Sequence, residues 1–136
     1  MRRTVRRIAG LLAGIALGFA MLTLLALEGN EVVVLRTGAG QVGRRETRTW
    51  IADHDGAVWI EAANPEREFY RQILQNPRVE LRRRGALRPY RATAIITPAG
   101  HALIRRLLAA KYGWADRWIG LLTDTSQSIA IRLEPE

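Results

Sequence analysis

Cysteine is absent from the 136 residues of this chain. Its absence excludes disulfide bonds, thiolate catalysis, and zinc or iron–sulfur sites that use cysteine ligands. The cysteine content therefore does not indicate whether the protein's compartment is oxidising or reducing.

Histidine and lysine are almost as scarce, with only His54, His101 and Lys111 present. Neither histidine has a second histidine or a carboxylate at the spacing of a metal site, so we expect no bound metal. Ser126 and Ser128 lie outside any nucleophile elbow, which gives little support to a serine hydrolase. If the chain is an enzyme, a bound cofactor should carry the reaction.

Charge is unevenly distributed along the chain. The formal net charge is +8, from 21 Lys and Arg against 13 Asp and Glu, but Arg2, Arg3, Arg6 and Arg7 all precede a long apolar run. The remaining excess is moderate. It suits an anionic small ligand or a membrane surface, and it argues weakly for nucleic acid, so we expect no nucleic-acid partner.

Residues 8–27 form an uncharged run of about 20 residues, the length that crosses a hydrocarbon core of about 30 Å. We predict a basic cytoplasmic N-terminus at 1–7, a transmembrane helix at 8–27, a linker at 28–31 and one folded domain at 32–136. A cleaved signal peptide is the alternative. By the positive-inside rule, the chain is a single-pass protein of the cell membrane with its folded domain on the outer side.

Gly10, Gly14 and Gly18 repeat every four residues along the apolar run. This spacing lines small residues along one helix face and would let a second helix approach closely, which predicts a homodimer through that face. Glycine is also common in membrane helices for other reasons, and the folded domain offers a second route to a dimer.

After the linker, six stretches have the composition of β-strands, separated by turn residues every 8 to 12 positions. They lie at 32–35, 44–52, 57–62, 79–83, 90–96 and 128–133. Two helical segments are predicted, one between 64 and 76 and one that starts at Thr97 and Pro98 and bends near Gly113. The order predicts an α+β fold, a small six-stranded antiparallel barrel whose openings are covered by helices.

The turn from Gly38 to Gly43 stands beside the arginines Arg44, Arg45 and Arg48. Bare backbone N–H groups and guanidinium forks in such a turn can hold an anionic ligand. The alternative is an ordinary β-hairpin with a solvated basic face. Trp114 and Trp118, four residues apart, share one helix face and suit either a planar ligand or the protein core.

Three short motifs in this order resemble those of the deazaflavin-dependent nitroreductases and the wider flavin-binding split-barrel proteins related to pyridoxamine-phosphate oxidase. The resemblance covers about residues 32–135. Its first motif is matched by Thr37, Gly38, Arg45 and Trp50; its second by Phe69, Tyr70, Ile73, Asn76, Pro77 and Val79; and its third by Tyr112, Trp114, Trp118, Thr125, Ser128, Ile129, Ile131 and Leu133.

The resemblance implies a split β-barrel that binds a deazaflavin coenzyme or FMN and passes hydride to a small-molecule substrate, a quinone-like or nitroaromatic acceptor. It implies cofactor contacts at Thr37, Gly38 and Arg45, in the first turn and the second strand. Charge and position add Arg44 and Arg48. The expected set also includes Gly43 and Trp50. The substrate side is expected at Tyr112, Trp114 and Trp118. Membrane lipid is the second expected partner. A cofactor-free barrel that acts as a binding or assembly module at the membrane is the alternative function.

Overall fold

The computed structural model of the protein describes residues 2–38 and 43–136. Within these ranges the helices are α1 (Arg2–Glu28), α2 (Glu68–Gln75), α3 (Pro98–Tyr112) and α4 (Trp114–Leu122). The strands are β1 (Val32–Thr37), β2 (Arg45–Trp50), β3 (Ala52–His54), β4 (Ala57–Ala62), β5 (Arg78–Arg83), β6 (Ala86–Ile95) and β7 (Ile129–Pro135).

The strands form one antiparallel sheet in the order β2-β1-β5-β6-β7-β4-β3. Its two edge strands, β2 and β3, are consecutive in the chain and are separated by Ile51 alone. The chain itself therefore joins the two edges of the sheet. This connection curls the sheet into a barrel, the antiparallel α+β architecture that the sequence predicts.

Two counts in the prediction are wrong. The described residues contain seven strands instead of six, because the predicted strand at 44–52 changes its pairing partner at Ile51 and becomes β2 and β3. Three helices follow α1 instead of two, because Gly113 has φ of 54° and separates α3 from α4. Glycine enters this left-handed region without the steric cost that a side chain brings.

The interior of the barrel is filled by alternate residues of its strands. Val33, Leu35 and Thr37 of β1 are at most 2% exposed. α2 closes the interior with three side chains that recur at helical spacing, Phe69, Tyr70 and Ile73. Strand alternation and an amphipathic helix therefore suffice to build this core.

A second core lies outside the barrel, where α3 and α4 cover the other face of the sheet. Ile104, Leu108 and Tyr112 of α3 pack there against Trp59 of β4. Thr97 begins α3 as predicted, since its Oγ1 accepts a hydrogen bond from the Gly100 N–H at 3.0 Å.

Helix α1 stands apart from both cores for most of its length. The segment Thr4–Glu28 is long and apolar enough to cross a bilayer, a property that a signal sequence shares. Near its C-terminal end, Ala26 is fully buried in the outer core. The linker is held by Glu31, whose carboxylate receives Arg83 Nε at 2.7 Å and Lys111 Nζ at 2.5 Å. The division of the chain at residues 27 and 31 stays a prediction.

Candidate functional site

A cleft opens in the barrel wall where one continuous strand changes partners. β2 pairs with β1, and β3 pairs with β4 up to the Ala52–Trp59 pair. Beyond that pair β2 is paired with β1, and Trp50 near the end of β2 and Glu61 of β4 both line the opening without a ladder of hydrogen bonds between the two strands. β2 is an edge strand, so the backbone N–H and C=O groups along its outer side have no partner strand among the described residues.

A cavity of about 400 Å³ occupies this cleft. This volume is within the range of about 300–1,000 Å³ that is usual for small-molecule sites. Elements from both sides of the barrel wall contribute to its lining: Leu27, Glu28, Val32, Thr47, Arg48, Thr49, Trp50, Glu61, Ala63, Arg67, Phe69, Arg105, Leu108, Asp116, Ile119, Gly120, Thr123 and Thr125.

Trp50 forms one wall and is backed by Tyr112. The indole of Trp50 is stacked on the ring of Tyr112, with centroids 4.4 Å apart and an interplanar angle of 9°. The Tyr112 hydroxyl accepts from the Ile51 N–H at 3.0 Å and lies 2.7 Å from the Glu31 carbonyl oxygen, to which it donates. Burial raises the pKa of Tyr112 to about 12, so the phenol stays protonated at neutral pH and keeps this donation. Tyr112 thus fixes the plane of the Trp50 ring.

A charged group of three residues, Arg105, Glu61 and Asp116, forms another part of the lining. The Arg105 guanidinium lies 3.0 Å from Glu61 and 2.7 Å from Asp116, both of which accept its hydrogen bonds with two oxygens. Burial disfavours the charge on Arg105, but the two carboxylates outweigh burial and raise its pKa. The group joins β4, α3 and α4, and its charges are already paired within the protein.

Two further arginines stand at the rim. Arg48 is ion-paired with Glu28 at the end of α1, and both side chains are exposed. Arg67 is exposed, and no carboxylate of the described residues lies within ion-pair distance of it. The lining thus holds three arginines and three carboxylates, and Arg67 is the arginine best placed to meet a ligand anion.

Of the residues predicted to bind a cofactor, Arg48 and Trp50 line the cavity. The pairing register explains why the others do not. Val32 is opposite Trp50 and Thr37 is opposite Arg45, so Thr37 and Arg45 lie at the far end of the β1–β2 hairpin.

That far end has its own contacts. The Thr37 hydroxyl is fully buried and donates to the side chain of Gln72, which in turn donates to the Gly43 carbonyl at 3.1 Å. Gly38 is buried, and Arg44 is ion-paired with Glu80. Arg45 is exposed, and residues 39–42 of the predicted turn lie outside the described residues.

The residues predicted for the substrate side are also divided. Tyr112 lies behind Trp50 and supports the cavity wall. Trp118 packs against Phe19 of α1 with ring centroids 5.2 Å apart, and its Nε1 donates to Thr23 at 3.1 Å. Trp114 is 48% exposed. Neither tryptophan is among the residues that line the cavity, and their contact with a substrate stays a prediction.

Sequence reasoning did not assign Glu61, Arg67, Arg105 or Asp116 to the site, and it named Phe69 only as a motif match. Two of them carried a signal. Glu61 is the one charged residue in the apolar strand β4, and Asp116 lies between two tryptophans on α4. A carboxylate in an apolar element needs a partner, because an unpaired buried charge is costly. The sequence shows that a partner is required but not that Arg105 supplies it.

Comparison of the sequence with known proteins identifies no family. No family model matches the chain. One curated protein, a probable L,D-transpeptidase from Salmonella typhimurium, is 40% identical over 47 residues, which are 32% of this chain and 15% of that protein. The chain therefore spans less than a sixth of that protein, and this short match shows no family.

Solved structures match over most of the chain. A putative pyridoxamine 5'-phosphate oxidase from Listeria innocua has a TM-score of 0.57 at 17% identity, covering 83% of this chain and 90% of its own. An F420 reductase has a TM-score of 0.53 at 21% identity, covering 83% and 92%. A FAD-binding protein from Mesorhizobium loti has a TM-score of 0.55 at 18% identity, covering 86% and 89%. The chain has the split-barrel fold of the pyridoxamine-phosphate-oxidase-like proteins, as the sequence predicts.

Proposed function

We propose that this protein is a membrane-anchored oxidoreductase that binds a deazaflavin or a flavin such as FMN in the cleft between β2 and β4. It would pass hydride to a quinone-like or nitroaromatic acceptor. The observation that carries the proposal is the cavity of about 400 Å³ with an indole wall, at the opening of a split barrel. The names of two similar solved proteins, the F420 reductase and the FAD-binding protein, point to the same ligand class.

The lining residues fit such a ligand. A flat ring system stacks favourably on an indole, and Trp50 presents one whose plane is held by Tyr112. Apolar side chains such as Phe69, Leu108 and Ile119 exclude water from the ring. The unpaired edge of β2 offers backbone donors and acceptors for polar ring atoms. When bound, the cofactor would supply the hydride, and the protein would supply position and dryness.

A phosphate-bearing tail needs cations, and the structure offers them at the rim. Arg67 is exposed there without a carboxylate partner among the described residues, and Arg48 can leave its exposed pair with Glu28 at little cost. Arg45 lies two residues before Thr47 on β2, on the same face of the strand, and would extend the line of cations from the rim. A guanidinium that meets a phosphate forms a short charge-assisted fork, so each of these contacts should be measurable.

Titration of the purified full chain tests the proposal. We expect FMN or a deazaflavin to bind with a fluorescence change, and a visible absorption band to survive desalting. Trp50→Leu should weaken binding by about 0.5–1.5 kcal/mol, and Arg67→Ala or Arg45→Ala by about 1.5–3 kcal/mol. Arg106→Ala, an exposed arginine of α3 outside the cavity, is the matched control. A colourless protein that binds neither ligand would overturn the proposal.

The side of the membrane is a separate part of the proposal. By the positive-inside rule we expect the barrel on the outer side, where a cofactor made in the cytoplasm would require folded export of the holoprotein. A reporter fused after Glu136 shows the side directly. An outer location without dependence on folded export would count strongly against a deazaflavin.

A cofactor-free binding or assembly module is the second candidate function. The observation in its favour is that Arg44, Arg48 and Arg105 are each paired with a protein carboxylate. Such a module could assemble as a homodimer through Gly10, Gly14 and Gly18, where an added Cβ would lie more than 4 Å from every described atom outside the adjoining backbone of α1. Crosslinking in membranes tests this route, since Gly14→Leu should abolish a dimer that uses the glycine face.

A further inference from the structure

Helix α4 has apolar residues on two sides, and packing against the outer core accounts for only one of them. Its inner side buries Ala115 and Asp116 against the barrel. Its outer side exposes Trp114 by 48%, Leu121 by 80% and Leu122 by 47%. Exposed large apolar residues scattered singly are ordinary, but three on one short helix mark an interaction surface.

The partner of this surface is indicated by the contact between α4 and α1. Trp118 packs on Phe19 and donates to Thr23, which lie eight and four residues before Leu27 at the end of the apolar run. At 1.5 Å per residue these contacts lie about 12 and 6 Å back along the axis of α1. If α1 crosses a bilayer, Trp118 is level with a part of α1 that is already below the bilayer surface.

The apolar surface of α4 continues into that of α1. Phe19 and Leu22 belong to α1, the helix that Trp118 contacts, and they are 48% and 44% exposed. Among the charged residues of α4, Asp116 is directed inward to Arg105, which leaves Arg117 as the charge on the exposed side. Tryptophan and arginine are suited to the boundary between headgroups and acyl chains, because each joins an apolar body to a polar end.

We propose that α4 lies in the headgroup–acyl boundary of the bilayer that α1 crosses, with Trp114, Leu121 and Leu122 in contact with lipid. The folded domain then contacts the membrane surface through α4, in addition to its attachment through α1. Glu28 of α1 and Gly120 of α4 both line the cavity, so the cavity opens beside the bilayer surface. An acceptor dissolved in lipid would reach the cavity without crossing water. This inference rests on the membrane anchor of the proposed function.

Spin labels at single cysteines test the inference, because the chain has no native cysteine. The full chain is reconstituted in vesicles of phosphatidylcholine and phosphatidylglycerol. Leu121→Cys probes α4, and Leu12→Cys probes the middle of α1. Leu74→Cys is the matched control, because Leu74 is an exposed leucine on helix α2. It lies two residues from Gln72, whose side chain hydrogen-bonds to Thr37 at the end of the β1–β2 hairpin that is far from the cavity.

We expect labels at 12 and 121 to collide several-fold more often with dissolved oxygen than with a water-soluble nickel chelate, and the label at 74 to show the reverse. A lipid signal at 12 with an aqueous signal at 121 would overturn the inference and leave the anchor intact. An aqueous signal at 12 would overturn the anchor, and the inference with it. A label at 121 that is shielded from both reagents and broadened by a second label would place another copy of the chain on α4 and also overturn it.

Native tryptophan fluorescence gives a second measurement without labels. Brominated lipids should quench the full chain, and Trp114→Phe should lose a large part of that quenching. Trp59→Phe, which removes an indole that is only 7% exposed, should leave the quenching unchanged. Equal quenching in the two variants would contradict the lipid contact of α4.

Discussion

The inside and the outside of the barrel wall are built from the same strands but hold different kinds of core. Inside, apart from Thr37, the fully buried side chains are aliphatic residues such as Leu35, Ile60 and Leu81. Outside, under α3 and α4, buried apolar side chains adjoin the charged group of Arg105, Glu61 and Asp116. The cavity adjoins the mixed layer. Where charges must be paired at fixed geometry, side chains cannot simply fill space, and a cavity can remain.

The inner core should respond most strongly to lost volume. Leu81→Ala removes a side chain that is 1% exposed and should lower the free energy of unfolding by about 2–5 kcal/mol. Leu87→Ala, on the adjoining strand but 40% exposed, should cost less than about 1 kcal/mol. Denaturant midpoints of the full chain in detergent measure both. Leu81 does not line the cavity, so ligand affinity should be unchanged in any Leu81→Ala protein that remains folded; a loss of affinity would show that the inner core supports the cavity through Phe69.

The outer layer should respond most strongly to a lost charge. Arg105→Met keeps much of the volume but leaves Glu61 and Asp116 without their cation, which should cost about 3–5 kcal/mol. Arg106→Met, on the exposed side of the same helix, should change stability by no more than about 0.5 kcal/mol. Thermal unfolding followed by circular dichroism distinguishes the two. Equal effects would show that the charged group does not hold β4 to the helices.

The aromatic wall should respond to the loss of one oxygen. Tyr112→Phe leaves the buried Ile51 N–H without its acceptor and should cost about 1–3 kcal/mol. It also removes the hydrogen bonds that anchor the ring stacked on Trp50, so ligand affinity should fall together with stability. Tyr90→Phe, on β6 away from the cavity, is the control. A Tyr112→Phe protein with normal affinity would show that the hydroxyl does not position Trp50.

The linker should give the smallest effect and one that depends on pH. Hydrogen bonds from Arg83, opposed by partial burial and aided by Lys111, lower the pKa of Glu31 to about 2. A carboxyl whose pKa is lower when folded contributes stability above its unfolded pKa, and that contribution is lost as pH falls toward the folded value. Glu31→Gln should therefore cost about 1–2 kcal/mol at pH 7, after allowance for solvent screening, and this cost should disappear as pH falls through about 2. Glu66→Gln is the exposed control. A cost that is independent of pH would mean that packing, not charge, accounts for it.

The sequence predicted the inner core better than the outer layer, and the reason is locality. Strand alternation at Val33 and Leu35 and helical spacing at Phe69 and Tyr70 can be read from neighbouring residues. The pairing of Arg105 with Glu61 joins residues 44 positions apart, and no local pattern specifies it. The predicted cofactor set divided for the same reason, since Arg48 and Arg45 are close in sequence but at different distances from a cleft that long-range pairing creates.

By itself, the sequence determined the apolar N-terminal helix, the absence of cysteine chemistry, the α+β composition and a small antiparallel barrel. These features follow from length, composition and short-range periodicity. Only the tertiary structure decided where the strand between residues 44 and 54 changes partner, and hence where the barrel opens. It also decided that Trp118 contacts α1 and that Tyr112 stands behind Trp50. Each of these depends on elements that are distant in the chain meeting in one place, and local propensity does not specify such meetings.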